Sequence, residues 1–117
     1  MLGTAGQFIG GPQVESFEKE FAQFCEAKYC AGVNSGTDAL RFALMALGVG
    51  PGDEVIVPDV TYMSSASPIT YVGATTVFAD VDPSTLTISP DAIEQKITPR
   101  TRAIIPVHLF GLPADMH

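Results

Sequence analysis

Asn34-Ser35-Gly36-Thr37-Asp38-Ala39-Leu40 decides how the rest of the chain is read. A short apolar run, 31–33, leads into it, and a helical apolar pattern leaves it over 40–47. Strand, small polar turn, helix: this order gathers backbone N–H groups in front of a helix N-terminus. Such a spot draws an anion, because the first helical N–H groups lack acceptors and the helix dipole is positive there. Gly36 lets a ligand approach the backbone, and the hydroxyls of Ser35 and Thr37 can add donors. The competing reading is plainer: Ser35, Thr37 or Asp38 caps the helix and does no more.

On the N-terminal side, residues 1–11 are Gly-rich and unpatterned and read as an extended or mobile lead-in. Pro12 opens an amphipathic helix expected to end near Ala27-Lys28. Val14, Phe17, Phe21 and Phe24 recur three or four apart and are assigned to the core, with Glu15, Glu18, Lys19 and Glu20 on the other sides. A strand is expected over 29–33. On the C-terminal side, the helix leaving the motif is apolar nearly all round, broken only by Arg41, so burial on most sides is expected. Gly48 stops it, 50–53 is a tight turn, and a strand over 54–57 ends at Pro58.

The next helix is best started with Ser67 as cap and Pro68 at the first helical position, because an interior proline costs about 3 kcal/mol. A kinked helix from Thr61 is the alternative, and Gly73 stops either one. A strand over 75–79 leads to acidic turns at Asp80, Asp82 and Pro83. Ser89-Pro90 starts a short helix to about Ile97, 98–101 is a loop, and 103–107 is a further strand. Helices alternate with uniformly apolar strands, the pattern of an α/β three-layer architecture with a mostly parallel sheet. Ligands collect beyond the carboxyl ends of such strands. Those ends are 34–37, 58–62, 80–82 and 108–111, so the opening motif lies on the ligand-binding rim.

At 117 residues the chain is long enough for one small domain with a core. Only 16% of residues are charged, which implies surface meant to be covered. The net charge of −7 argues against nucleic acid or an anionic membrane as partner. No apolar run approaches about 18 residues and no leader opens the chain, so a soluble cytoplasmic protein is expected. Cys25 and Cys30 read as buried free thiols, with a disulfide or metal site as the alternatives. Dinucleotide, nucleoside-triphosphate, serine-hydrolase and zinc-protease fingerprints are absent. His108 is a candidate ligand contact or a structural histidine. Tyr62 could lay its ring on a flat cofactor or simply pack. Asp80 and Asp82 read as solvated turn carboxylates, and no metal site is expected.

Read together, these segments resemble the DegT/DnrJ-type sugar aminotransferases, pyridoxal-phosphate enzymes of fold type I. The resemblance runs in family order from Gly10-Gly11-Pro12 and Phe17-Glu18 through the opening motif and Gly50-Pro51-Gly52-Asp53-Glu54-Val55-Ile56. It continues through Pro58, Thr61-Tyr62, Gly73-Ala74-Thr75 and Asp80-Val81-Asp82-Pro83 to Ile97-Thr98-Pro99-Arg100-Thr101 and Pro106-Val107-His108-Leu109-Phe110-Gly111. It implies that residues 1–117 form a single, partial large domain. It also implies that Ser35, Gly36 and Thr37 bind the cofactor phosphate, that Tyr62 stacks on the pyridine ring, and that His108 lies near the cofactor. The family moves an amino group, usually from glutamate, onto a nucleotide-linked keto-sugar, with the cofactor as electron sink.

The same resemblance places the Schiff-base lysine, the acid that pairs with the pyridine nitrogen, and the small domain outside these residues. None of Lys19, Lys28 and Lys96 matches the lysine position, so no catalytic residue is assigned and the piece alone is expected to be inactive. In the family, strands from later in sequence separate the strand at 31–33 from that at 103–107. The isolated piece is therefore expected to re-pair its strands or to close the gap with a second copy, as a dimer. The alternative function is a non-catalytic, self-associating α/β module derived from such an enzyme.

Overall fold

A computed structural model describes residues 10–116, and most of the lead-in 1–11 lies outside the described residues. The chain divides into two units, one ending at Asn34 and the other spanning Ser35–His117. In the first, Gly11 caps helix α1 (Pro12–Phe24), with Pro12 at its first position. The stripe expected to be core is not covered: Phe17 is 56% exposed and Phe24 83%, and Ala22 is the buried residue of α1. Its rings pack on each other instead, Phe17 on Phe21 with centroids 5.4 Å apart. The helix ends three residues before Ala27, where Glu26 takes a positive φ of 53°. Cys25 at that end is exposed and Cys30 half-buried, so the expectation of buried thiols is corrected, and both are free. Residues 29–33 form no strand. A strand exists by its ladder, and none of the described strands pairs with this segment. One backbone group there is held by a side chain, Gly32 N–H donating to Glu18 Oε1 at 2.6 Å.

The second unit is built on β1 (Glu54–Pro58), buried along its whole length. It is flanked in parallel by β2 (Thr75–Ala79) and β3 (Thr101–Ile104), in the order β2-β1-β3. Because side chains alternate along a strand, β1 feeds two cores. Val55 and Val57 pack with Leu44 of helix α2 (Gly36–Ala46) and Ile69 of helix α3 (Met63–Tyr71). Ile56 packs with Ala79 and Ile88 beside Ala92 and Ile93 of helix α4 (Pro90–Lys96). This is the expected three-layer α/β arrangement with a parallel sheet. Fully burying one of the Val, Leu or Ile side chains among them contributes roughly 1.5–3 kcal/mol.

Three further expectations are corrected. Helix α2 fully buries only Leu44, with Leu40 partly buried against the same core, while Leu47 at its end is 70% exposed. Helix α3 starts at Met63 with Pro68 inside it, not at Ser67. Burial of Pro68 and Ile69 against the sheet offsets the lost hydrogen bond, and Ser67 Oγ donates back to Met63 O at 3.0 Å. Strand β3 begins two residues early, since Thr101 and Ala103 pair with Glu54 and Val55 around a bulge at Arg102. Ile105 N–H still bonds Ile56 O at 2.8 Å, and Pro106, which has no N–H, ends the ladder. Gly48 and Gly73 close α2 and α3 in positive φ, as the pattern predicts.

Candidate functional site

The two readings of the opening motif divide between its residues. Ser35 is the cap of α2: its Oγ accepts from Asp38 N–H at 3.1 Å and donates to Asp38 Oδ2 at 3.2 Å. Ala39 N–H bonds Ser35 O. The N–H groups of Gly36 and Thr37, and the Thr37 hydroxyl, have no partner among the described residues. The described residues give no steric reason for glycine at 36, because an added Cβ would meet none of them within 4 Å. An open backbone with spare donors at the positive end of an eleven-residue helix suits an anion.

Topology brings the other predicted residues to the same rim. Arg41, Met45 and Gly48 of α2 and its end line one cleft with Tyr71 and Val72 at the end of α3. The two helices therefore run the same way, and their N-termini share the opposite end. That end lies at the carboxyl end of β1, because α3 follows β1 after four residues. Tyr62 caps α3 there, 75% exposed and with no side-chain hydrogen bond among the described residues. Beside it the Thr61 and Ser65 hydroxyls pair at 2.9 Å. His108 follows β3 onto the same rim, and its Nδ1 accepts from Ala114 N–H at 3.0 Å. No hydrogen bond joins Ser35, Gly36 or Thr37 to Tyr62 or His108 among the described residues. No motif in the sequence marks Ala114 as the partner of His108.

Asp80 and Asp82 are turn carboxylates. Asp80 Oδ1 accepts from Val81 N–H, and Asp82 Oδ1 accepts from the Ser84 hydroxyl and N–H. The Ser84 hydroxyl, then its N–H, holds the Asp82 carboxyl below the usual range. At the opposite, amino end of the sheet, Glu54 is buried and charged. It accepts from Thr98 Oγ1 at 2.6 Å and from Arg100 Nε at 2.8 Å. No group of three or more potential metal-ligating side chains clusters among the described residues. No helix there is long and apolar enough to cross a membrane.

Comparison with known proteins gives this rim a context. The chain is 52% identical over 112 residues to a dTDP-3-amino-3,4,6-trideoxy-alpha-D-glucose transaminase of Streptomyces venezuelae, covering 96% of this chain and 30% of that protein. It is 52% identical over 110 residues to a UDP-2-acetamido-2-deoxy-3-oxo-D-glucuronate aminotransferase of Pseudomonas aeruginosa, covering 94% and 31%. The crystal structure of S. venezuelae DesV superposes with a TM-score of 0.90 at 52% identity, over 96% of this chain and 30% of that one. The chain thus spans under a third of the length of the relatives it matches. It keeps a fold type I arrangement rather than re-pairing its strands. The profile of the DegT/DnrJ/EryC1/StrS aminotransferases matches residues 2–117. With that match over nearly the whole chain, and half of its residues shared with sugar transaminases, the chain belongs to this family of pyridoxal-phosphate-dependent aminotransferases.

Proposed function

We propose that these residues supply the phosphate-binding rim of a pyridoxal-phosphate aminotransferase acting on nucleotide-linked keto-sugars. One observation carries the reading: the unpartnered Gly36 and Thr37 N–H groups open the same sheet rim as the exposed ring of Tyr62. Ser35 holds the turn, Gly36 and Thr37 bind phosphate, Tyr62 stacks on the cofactor ring, and His108 stands near it. The cofactor, when bound, supplies an electron sink; these residues orient it and exclude water from one face. The substrate class follows from relatives whose names specify dTDP- and UDP-linked sugars.

The lysine that carries the cofactor is none of the three present. Lys96 ends α4, next to the Thr98 and Arg100 that reach Glu54 at the amino end of the sheet, away from the rim. Lys19 and Lys28 belong to the unit ending at Asn34. In this reading residues 1–117 act as a single partial large domain, cytoplasmic, binding cofactor without transaminating. Titration with pyridoxal phosphate, followed by absorbance and thermal shift, tests this. Saturable binding lost in Thr37→Ala and Tyr62→Ala is the expected result. Absence of binding, or a covalent link to a lysine, overturns it.

A second reading has its own observation. Phe42 and Met45 are about half exposed on α2, beside Leu47, which is 70% exposed. Surface of this kind favours self-association as a homodimer, with or without cofactor.

A further inference from the structure

The bond from Ala114 N–H to His108 Nδ1 closes a loop whose ends are six residues apart. Inside it, Leu109–Gly111 make one 3₁₀ turn in which Phe110 and Gly111 both take positive φ, 52° and 85°. Phe110 is fully in solvent, so packing does not hold it in that uncommon conformation. The local bonds, Gly111 N–H to His108 O and Leu112 N–H to Leu109 O, stop short of residue 114. Ala114 itself is buried and fixes the far end of the loop. A neutral imidazole has one nitrogen that accepts and one that carries hydrogen. With Nδ1 accepting, the hydrogen is on Nε2.

We propose that His108 is a positioning residue with one fixed tautomer. Its Nδ1 clasps the Ala114 N–H and shapes the 108–114 turn at the carboxyl end of β3. Its Nε2–H is what it offers a ligand on the rim, so it donates to a ligand oxygen and does not act as a base. The clasp stands on geometry alone; the donor role rests on the cofactor reading above.

Imidazole nitrogen NMR on the ¹⁵N-labelled chain at neutral pH tests the clasp, together with hydrogen exchange at the Ala114 amide. A protonated Nε2, a bare Nδ1 and a protected Ala114 amide are expected. His108→Asn, whose Oδ1 reaches about as far as Nδ1, keeps that protection. His108→Gln and His108→Ala lose it, with exchange about tenfold faster, the effect of one hydrogen bond. A protonated Nδ1, averaging of the two tautomers, or unchanged exchange in His108→Ala overturns the clasp. Pyridoxal phosphate titration tests the donor role, and weaker binding to His108→Asn than to the unmodified chain is expected. Equal affinity overturns the donor role. Binding absent from the unmodified chain removes the donor role together with the cofactor reading, while the Ala114 amide still decides the clasp.

Discussion

Ser35 and Thr37 stand two residues apart and do different work. Ser35→Ala removes the cap and is expected to cost about 1 kcal/mol in denaturant unfolding. Thr37→Ala removes a hydroxyl that bonds nothing among the described residues, so stability should stay within about 0.5 kcal/mol while cofactor binding is lost. Glu54 sets a pH dependence of its own. The Thr98 hydroxyl, then the Arg100 guanidinium, holds its carboxyl below the usual 4.5, against the opposing effect of burial. A depressed carboxyl contributes stability that is fully present above its unfolded value and lost as pH falls through its folded one. Urea unfolding from pH 7 down to pH 3 should therefore show a loss below about pH 4.5 that is flattened in Glu54→Gln. The sequence shows Glu54 opening a strand and Thr98 and Arg100 in a loop, but their meeting depends on which strands neighbour each other. That was not legible. His108 was legible as a rim residue from its place after an apolar run, whereas its partner is a backbone N–H, which no side-chain pattern reveals.

Among the elements, the turn from α3 into β2 is the most constrained by backbone. Gly73 has φ +81°, and a Cβ there would come within 3.1 Å of Pro51 Cγ. Gly73→Ala is expected to destabilise by roughly 1–2 kcal/mol from the left-handed backbone alone, read as a lower urea midpoint at unchanged slope. Strands β1 and β2 and helix α4 were readable from local signals: apolar runs bounded by Gly and Pro, and a Ser-Pro start. Helix α3 was misjudged because the local cost of Pro68 was weighed without the burial that offsets it. The run 29–33 has strand chemistry and no strand, since pairing belongs to two segments and only one of them is visible in a local reading.

For the whole molecule, fold class followed from alternation and apolar strands, while burial did not. Periodicity shows which face of a helix is apolar and is silent on whether a neighbour exists to cover it. Phe17, Phe24 and Leu47 make the point, each over half exposed at a position expected to be buried. Sedimentation across a concentration series should show reversible association. Phe42→Asp with Leu47→Asp should weaken it and remove any concentration dependence of the melting temperature. A concentration-independent monomer would end the self-association reading.

The central position of β1 also governs the order in which the chain can fold during synthesis. Both of its neighbours come later in sequence, and the Arg100 that reaches Glu54 is 46 residues downstream. A nascent chain holding β1 but not yet β3 presents an apolar strand with an open edge. Parallel pairing across such a separation is slow. Until β3 is made, the open edge of β1 is thus a segment whose exposure raises the tendency of the newborn chain to aggregate.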